Sequence, residues 1–510
     1  MPDRLSPLDV SFLYLEEPTT PMHVGSVMVF DPGPDGLDVS RMTQHVNARI
    51  AFVPRYRQRV RWVPGRLANP VWVDDERFDV SYHVRRSALP RPGTPEQLQE
   101  LVARLQARRL DRTRPLWELI VVEGLADGRF AVVTKVHQAL VDGVQGVDLG
   151  QVVLDAVPDP HEPPAQVWRP SPEPSTVELI AGAVADSVRR PQHVVDTVRA
   201  GLGDAGRTAE RIAESVGSWT AGGLAVAARA AAKPPPRSPL NRDIGAHRRF
   251  TMLGTDLEVY RRIRTAHARG ATARRRRGKD GKDGKGGRNG AGGALQVVVP
   301  PAVQATVNDV VLATLAGALR TWLLARGEPV PSDAVVRALV PISVRVADPA
   351  HGGSLGSRVS SLLVDLPTGE PSALMRLHQI AYQTRAHREA GQAVDASAIA
   401  GIAGFAPPTL HSLGARVASG LSRRLFNLVV TNVPGPQQPL WFDGSRMVST
   451  YPVVPLAKGQ ALSVGLTSYA GSVYYGLNGD REVMSDLPVL GQCILDALTE
   501  LDELSAAGAP

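Results

Sequence analysis

The most restrictive feature of the chain is the succession of strand, turn, strand and helix between Leu116 and Val157. Leu116 to Glu123 and Arg129 to His137 are rich in apolar and β-branched residues, and Ala126-Asp127-Gly128 lies between them. Two such runs around a short turn read as a hairpin. Asp142 to Val157 then takes up helical patterning. A hairpin that passes at once into a helix needs a sheet with a helical layer against it, which implies an α/β architecture.

The remaining segments fit the same class. Ser6 to Phe30 reads as a helical or loop entry followed by a strand. Asp38 to Phe52 is expected to be helical, with Asp38 or Ser40 able to cap it. Thr94 to Arg108 carries Pro95 in its first turn and one apolar face of Leu98, Leu101, Val102 and Leu105. Thr306 to Arg326 has a Thr306/Asp309 cap and Gly327 as its stop. Further helices are expected over Pro371 to Ala390 and Val483 to Leu504. Short extended pieces are expected at Val71 to Val73 and Val80 to Val84. Strands are expected at Val335 to Val344, Val359 to Leu366, Leu425 to Asn432, Ser449 to Val454, Ala461 to Ser468 and Ser472 to Asn478. Pro158 to Pro174 is proline-rich and reads as an extended linker. Ser175 and Glu178 have capping-box spacing, and helical patterning runs from there to about Ala232. The expected organisation is a first domain over 1–160, a Pro-rich and helical crossover over 161–240, and a second domain over 241–510.

Charge and composition narrow the function. The net charge of +7 is carried entirely by Arg269 to Gly293, where nine Lys/Arg stand against two Asp. This segment is rich in glycine, lacks aromatics and reads as a disordered basic insertion. It has no GxxxxGK[ST] pattern, so it is not a phosphate-binding loop. An anionic membrane surface is one partner such a segment fits; nucleic acid is not expected as a partner of the protein. The single cysteine, Cys493, excludes an intramolecular disulfide, and its apolar setting predicts a buried, inert thiol. No histidine has metal-ligand spacing, and no metal is expected. Met1 to Phe12 lacks the pattern of a signal peptide, and no uncharged apolar stretch of about 18 residues occurs. A cytoplasmic protein is the expectation.

The chemistry concentrates in Thr134-Lys135-Val136-His137-Gln138-Ala139-Leu140-Val141-Asp142-Gly143, which leaves a strand and enters a helix. His137 could move a proton, Asp142 could hold a neighbouring cation, and Gly143 permits a tight turn. Taken alone the spacing is weak, and a structural role is the favoured reading.

The stretch resembles the HHxxxDG signature of the bacterial wax ester synthase/diacylglycerol acyltransferase family, within the chloramphenicol acetyltransferase and condensation-domain superfamily. Other segments resemble family motifs in the same order: Leu5-Ser6-Pro7-Leu8-Asp9, Pro21-Met22-His23-Val24-Gly25, Pro115-Leu116-Trp117, Asn308-Asp309, Pro341-Ile342-Ser343-Val344-Arg345 and Asn432-Val433-Pro434-Gly435-Pro436. The resemblance implies two chloramphenicol-acetyltransferase-like domains with mixed sheets, joined by the crossover. It also implies an O-acyltransferase that uses fatty acyl-CoA as substrate, needs no further cofactor, and forms triacylglycerol from diacylglycerol or wax esters from long-chain alcohols. Contact with an anionic membrane or a lipid-droplet surface would suit such substrates.

In the family the second histidine of the signature takes the proton of the acceptor hydroxyl. Aligned on Asp142-Gly143, that position holds Gln138, and His137 stands at the first. An amide donates and accepts hydrogen bonds but is not a base near neutral pH. The resemblance makes His137, Gln138 and Asp142 the catalytic candidates. Gly143 and Arg345 are expected to support the loop, Arg345 as the partner of Asp142. Trp117, Asn308, Asp309, Asn432, Pro434 and Gly435 are candidate substrate-binding or motif residues. The alternative reading is a lipid-binding or regulatory relative with impaired turnover.

Overall fold

The structure, a computed structural model, describes residues 3–34, 36–141, 149–159, 168–189, 236, 238–280, 304–347, 355–389, 394–395 and 425–507. Two mixed sheets form its frame. The first has six strands in the order β12 (Trp441–Phe442), β13 (Ser445–Val453), β1 (His23–Asp31), β6 (Phe130–His137), β5 (Trp117–Glu123) and β4 (Val84–Ala88). The second has seven, in the order β10 (Val394–Asp395), β9 (Leu355–Leu366), β8 (Val336–Ala347), β11 (Leu428–Pro434), β14 (Leu462–Tyr469), β15 (Ser472–Asp480) and β7 (Arg248–Asp256). A small ribbon pairs β2 (Gln58–Arg61) with β3 (Val71–Asp74). The expected α/β class with mixed sheets is what forms: β4 runs parallel to β5, and β11 parallel to β8 and β14, while the other pairs are antiparallel.

The division at residue 240 does not separate the two sheets. β13, from the C-terminal half, pairs with Gly25 to Asp31 of β1 and joins the first sheet. The apolar residues explain why the layers hold. On one face of the first sheet Phe30, Met42, Val46, Trp117, Val121 and Val132 form one buried core. On the other face Leu98 and Val102, from the helix Pro95–Ala107, meet Ile120, Val133, Phe250 and Val453, so this helix is packed between the two halves. In the second half the helix Val307–Ala325 lies in a core with Tyr475, Leu490 and Ile494. Among the described residues it is the one helix long and apolar enough to cross a membrane, and 72% of its apolar window is buried inside the protein.

Thr306 with Asp309 and Ser175 with Glu178 make the reciprocal hydrogen bonds their spacing implies, and Thr94 with Gln97 makes a further such pair. Cys493 is buried, and burial raises its thiol pKa.

Three segments differ from the sequence reading. Val80–His83 is a helical turn, because the Asp79 carboxylate accepts the Ser81 N–H at 2.9 Å and starts a helix that β-propensity argues against. The start of the helix expected at Asp142 lies outside the described residues; a separate short helix, Gln138–Val141, directly follows β6, and the later helix ends at Val153 rather than Val157. The helix Leu257–Asp280 runs into the basic segment expected to be disordered. Leu257, Tyr260 and Ile263 anchor its first turns in the core, and Ala271, Ala273 and Arg274 to Arg277 are strong helix formers. Residues 281–303 lie outside the described residues, as does most of the crossover. The crossover's first helix, Thr176–Arg189, rests Leu179 on Val71 and Val73 of the ribbon.

Candidate active site

β6 ends where three strand termini converge. The His137 N–H donates to Leu116 O at 2.9 Å on one side, and the Gln138 N–H donates to Met22 O at 2.9 Å on the other. With both neighbouring chains satisfied, the backbone is free to turn into a helix. The His137 ring starts that helix itself: its Nδ1 accepts the Ala139 N–H at 3.0 Å, the role of an N-cap side chain. An accepting Nδ1 places the ring proton of the neutral imidazole on Nε2.

His137 is fully buried, and its surroundings are polar. In the β1–β6 ladder His23 stands directly opposite, with ring centroids 5.8 Å apart in an edge-on arrangement. Glu16, on the loop before β1, joins both rings: Oε1 lies 3.0 Å from His23 Nε2, and Oε2 lies 3.9 Å from His137 Nε2. Arg112 Nε donates to Glu16 Oε2 at 2.9 Å, and Nη2 reaches the same oxygen. Burial opposes ionisation of Glu16, but the hydrogen bond with His23 and the charges of His137, His23 and Arg112 outweigh it. Its pKa is held well below the usual carboxylate range. Burial pushes the His23 pKa down to about 4 and that of His137 to about 3, against the pull of Glu16. Both rings are therefore neutral at neutral pH. His137 Nε2 and His23 Nδ1 are buried without a full hydrogen bond.

The His137 ring is turned into the protein and holds the helix start, and burial leaves it a weak base. Gln138, the next residue, is partly exposed at the same strand end. Lys135, two residues before His137, is buried and donates to Leu105 O at 3.0 Å and to Arg108 O; burial lowers its pKa to about 8. Lys135 thus compensates the carbonyl end of the helix Pro95–Ala107.

The other candidates fall into three groups. Trp117 is a core residue. It is fully buried, donates Nε1–H to Tyr56 O at 2.7 Å and stacks on His83 at 4.6 Å, leaving no surface for a substrate. Asn308 and Asn432, distant in sequence, meet: Asn432 Nδ2 donates to Asn308 Oδ1 at 3.1 Å, fastening β11 to the start of the helix Val307–Ala325. Asp309 is buried and occupied by the cap of that helix and by Thr384 Oγ1 at 2.7 Å. Pro434 is exposed. Gly435 is required by close approach, since a Cβ there would stand 2.3 Å from Ser468 O. Asp142 and Gly143 lie outside the described residues, and for Arg345 only the backbone, in β8 opposite Ser357, is described.

Glu16 and Arg112 were not singled out by the sequence. Their link to His137 depends on loops that meet only in the folded chain, and no short-range spacing marks them.

Residues 5–272 match the wax ester synthase/diacylglycerol acyltransferase catalytic domain, and residues 355–502 the WS/DGAT C-terminal domain. The chain is 32% identical over 504 residues to the "Probable diacyglycerol O-acyltransferase tgs2" of Mycobacterium tuberculosis, covering 98% of this chain and 99% of that protein. It is 41% identical over 267 residues to "Probable diacyglycerol O-acyltransferase tgs3" of the same organism, covering 52% of this chain and 97% of that protein. The fold is similar to the solved wax ester synthase/diacylglycerol acyltransferase from Marinobacter aquaeolei VT8, with a TM-score of 0.65 and 27% identity over 99% of this chain and 100% of that one. The first condensation domain of the CDA synthetase shares the fold at a TM-score of 0.51 and 16% identity, over 100% of this chain and 97% of that one. On its sequence and its architecture alike, the chain belongs to the wax ester synthase/diacylglycerol acyltransferase family.

Proposed function

We infer that the protein is an acyl-CoA-dependent O-acyltransferase that forms triacylglycerol from diacylglycerol and a fatty acyl-CoA. Long-chain alcohols are further acceptors, giving wax esters. The carrying observation is the family match across both halves of a chain whose β6 terminus presents Gln138 beside a neutral, inward-turned His137. No cofactor beyond the acyl-CoA substrate is required.

The acceptor oxygen attacks the thioester carbonyl, the new C–O bond forms, and the C–S bond breaks. The hydroxyl proton ends on the departing thiolate of CoA, directly or through water. Gln138 cannot hold that proton. Its amide can accept the hydroxyl hydrogen bond and fix the oxygen for attack, so positioning supplies the rate that a base would otherwise add. His137 acts one step back, as the cap that sets where Gln138 stands. Asp142 paired with Arg345 is the proposed brace of the following loop.

The test is release of free CoA by the purified chain from a long-chain acyl-CoA and diacylglycerol, with triacylglycerol recovered in equal amount. Silence with diacylglycerol, long-chain alcohols and other hydroxyl acceptors would overturn the reading. A silent parent made active by Gln138→His would instead identify a lipid-binding relative with impaired turnover.

A cytoplasmic protein with peripheral contact at an anionic membrane or lipid-droplet surface is the accompanying proposal. It is motivated by the nine Lys/Arg of residues 269–293. Co-flotation with anionic vesicles that falls as salt rises supports it; co-flotation insensitive to salt does not.

A further inference from the structure

A cavity of about 540 Å³ lies beside the end of the helix Pro95–Ala107, and four arginines line it: Arg85, Arg108, Arg109 and Arg112. Its lining also contains three carboxylates, and their commitments decide its electrostatic character. Arg112 is held by Glu16. Arg85 lies 3.4 Å from Glu118. Asp111 accepts the Thr113 N–H at 2.9 Å and the Thr113 hydroxyl at 2.7 Å. Arg108 and Arg109 are exposed, and among the described residues neither has a carboxylate within ion-pair distance. A helix C-terminus carries partial negative charge and would repel an anion, but Lys135 already compensates the carbonyls of Leu105 and Arg108. Two guanidinium groups with no carboxylate partner among the described residues, at a concave site backed by a buried ammonium, suit a phosphorylated ligand.

Glu16 is part of the cavity wall, and the same carboxylate lies 3.9 Å from His137 Nε2 at the end of β6. Glu16 therefore links the wall of the cavity that Arg108 and Arg109 line to the strand end that carries Gln138.

We propose that Arg108 and Arg109 bind the phosphate groups of the coenzyme A portion of the acyl donor in this cavity. The assignment rests on the acyltransferase reading for the identity of the ligand, but its test does not need turnover. Calorimetric titration of the full chain with CoA and with adenosine 3′,5′-bisphosphate should show binding of both. In Arg108→Ala/Arg109→Ala both affinities should fall by about tenfold or more, since hydrogen bonds to charged groups carry at least that much. The double lysine variant should recover part of the loss. Arg481→Ala, which removes an arginine paired with Glu100, should bind as the parent does. A kinetic measurement is independent: the ratio of KM for an acyl-pantetheine thioester to KM for acyl-CoA should drop toward one in the double alanine variant.

Unchanged binding of CoA and bisphosphate in that variant overturns the proposal. So does a loss confined to vesicles containing phosphatidic acid, which would assign the arginines to a lipid headgroup. Loss of CoA binding in a chain without acyl transfer would keep the phosphate site and sink the acyltransferase reading. Acyl transfer with parental CoA affinity in the variant would do the reverse.

Discussion

Three histidines, His23, His83 and His137, are buried and held neutral. Burial lowers the His23 and His83 pKa values to about 4 and that of His137 to about 3, from an ordinary value of 6.5. The sign follows directly. Below pH 6.5 the unfolded chain takes up protons that the folded chain refuses, so this stability is complete above 6.5 and lost as pH falls toward the folded values. Each ring contributes a slope of about 1.4 kcal/mol per pH unit in that window. Urea midpoints should therefore fall steeply between pH 6.5 and 4. A flat profile there would mean that the rings are accessible and that His137 is available for proton transfer after all. At this scale the sequence is readable in part. The glutamine at the base position shows in the spacing to Asp142-Gly143, because the signature is contiguous. Glu16 and Arg112 do not show, because the ion pair between them closes 96 residues of chain. Trp117 is singled out by its motif, yet only packing reveals that it serves the core.

Strands and helices were the most legible level, since period and capping residues are local. The helix Val307–Ala325 begins and ends within a residue or so of its signals, Thr306 and Gly327. Where tertiary contacts decide, the sequence reading fails: the helix Leu257–Asp280 runs on into the basic segment from first turns that Leu257, Tyr260 and Ile263 anchor in the core. The β1–β6 pairing is the element on which the site depends. Between the paired residues Val24↔Val136 and Val27↔Val133, the Ser26 N–H donates to Thr134 Oγ1 at 2.9 Å, and β1 approaches β6 closely at Gly25. A Cβ on Gly25 would stand 2.0 Å from Thr134 O. Gly25→Ala should force the strands apart next to His23 and His137, at a cost of about 1–3 kcal/mol. Equilibrium unfolding in urea checks the cost, and a variant as stable as the parent would show that β1 can shift without consequence. The same variant should lose CoA release, since Gln138 is hung from Met22, just before β1.

Across the whole molecule, the loop that carries Glu16 is fastened from the C-terminal half. Arg248, buried at the start of β7, donates to Gly245 O at 2.8 Å, to His247 O at 3.0 Å and to Thr19 O. Lys458 pairs with Glu17 at 2.8 Å. With β13 joining the first sheet, these contacts bind the two halves around the strand end that holds Gln138. Two related domains could be expected from the motif order, but the exchange of β13 could not, because no local pattern states which sheet a strand will join. Arg248→Ala should cost roughly 1.5–3 kcal/mol through its unpaired carbonyls. It should also lower acyl transfer in protein that remains folded at the assay temperature. Parental activity in a destabilised variant would show that the loop holds its position without the C-terminal half.

The account turns on Gln138 standing where a base would accelerate the reaction. The direct measurement is kcat for CoA release by Gln138→His beside the parent, with one acyl-CoA and saturating diacylglycerol. A measurable parental rate that rises by about 10²-fold or more in the variant is the expected result, the gain a positioned general base supplies. A folded Gln138→His variant no faster than the parent would contradict it.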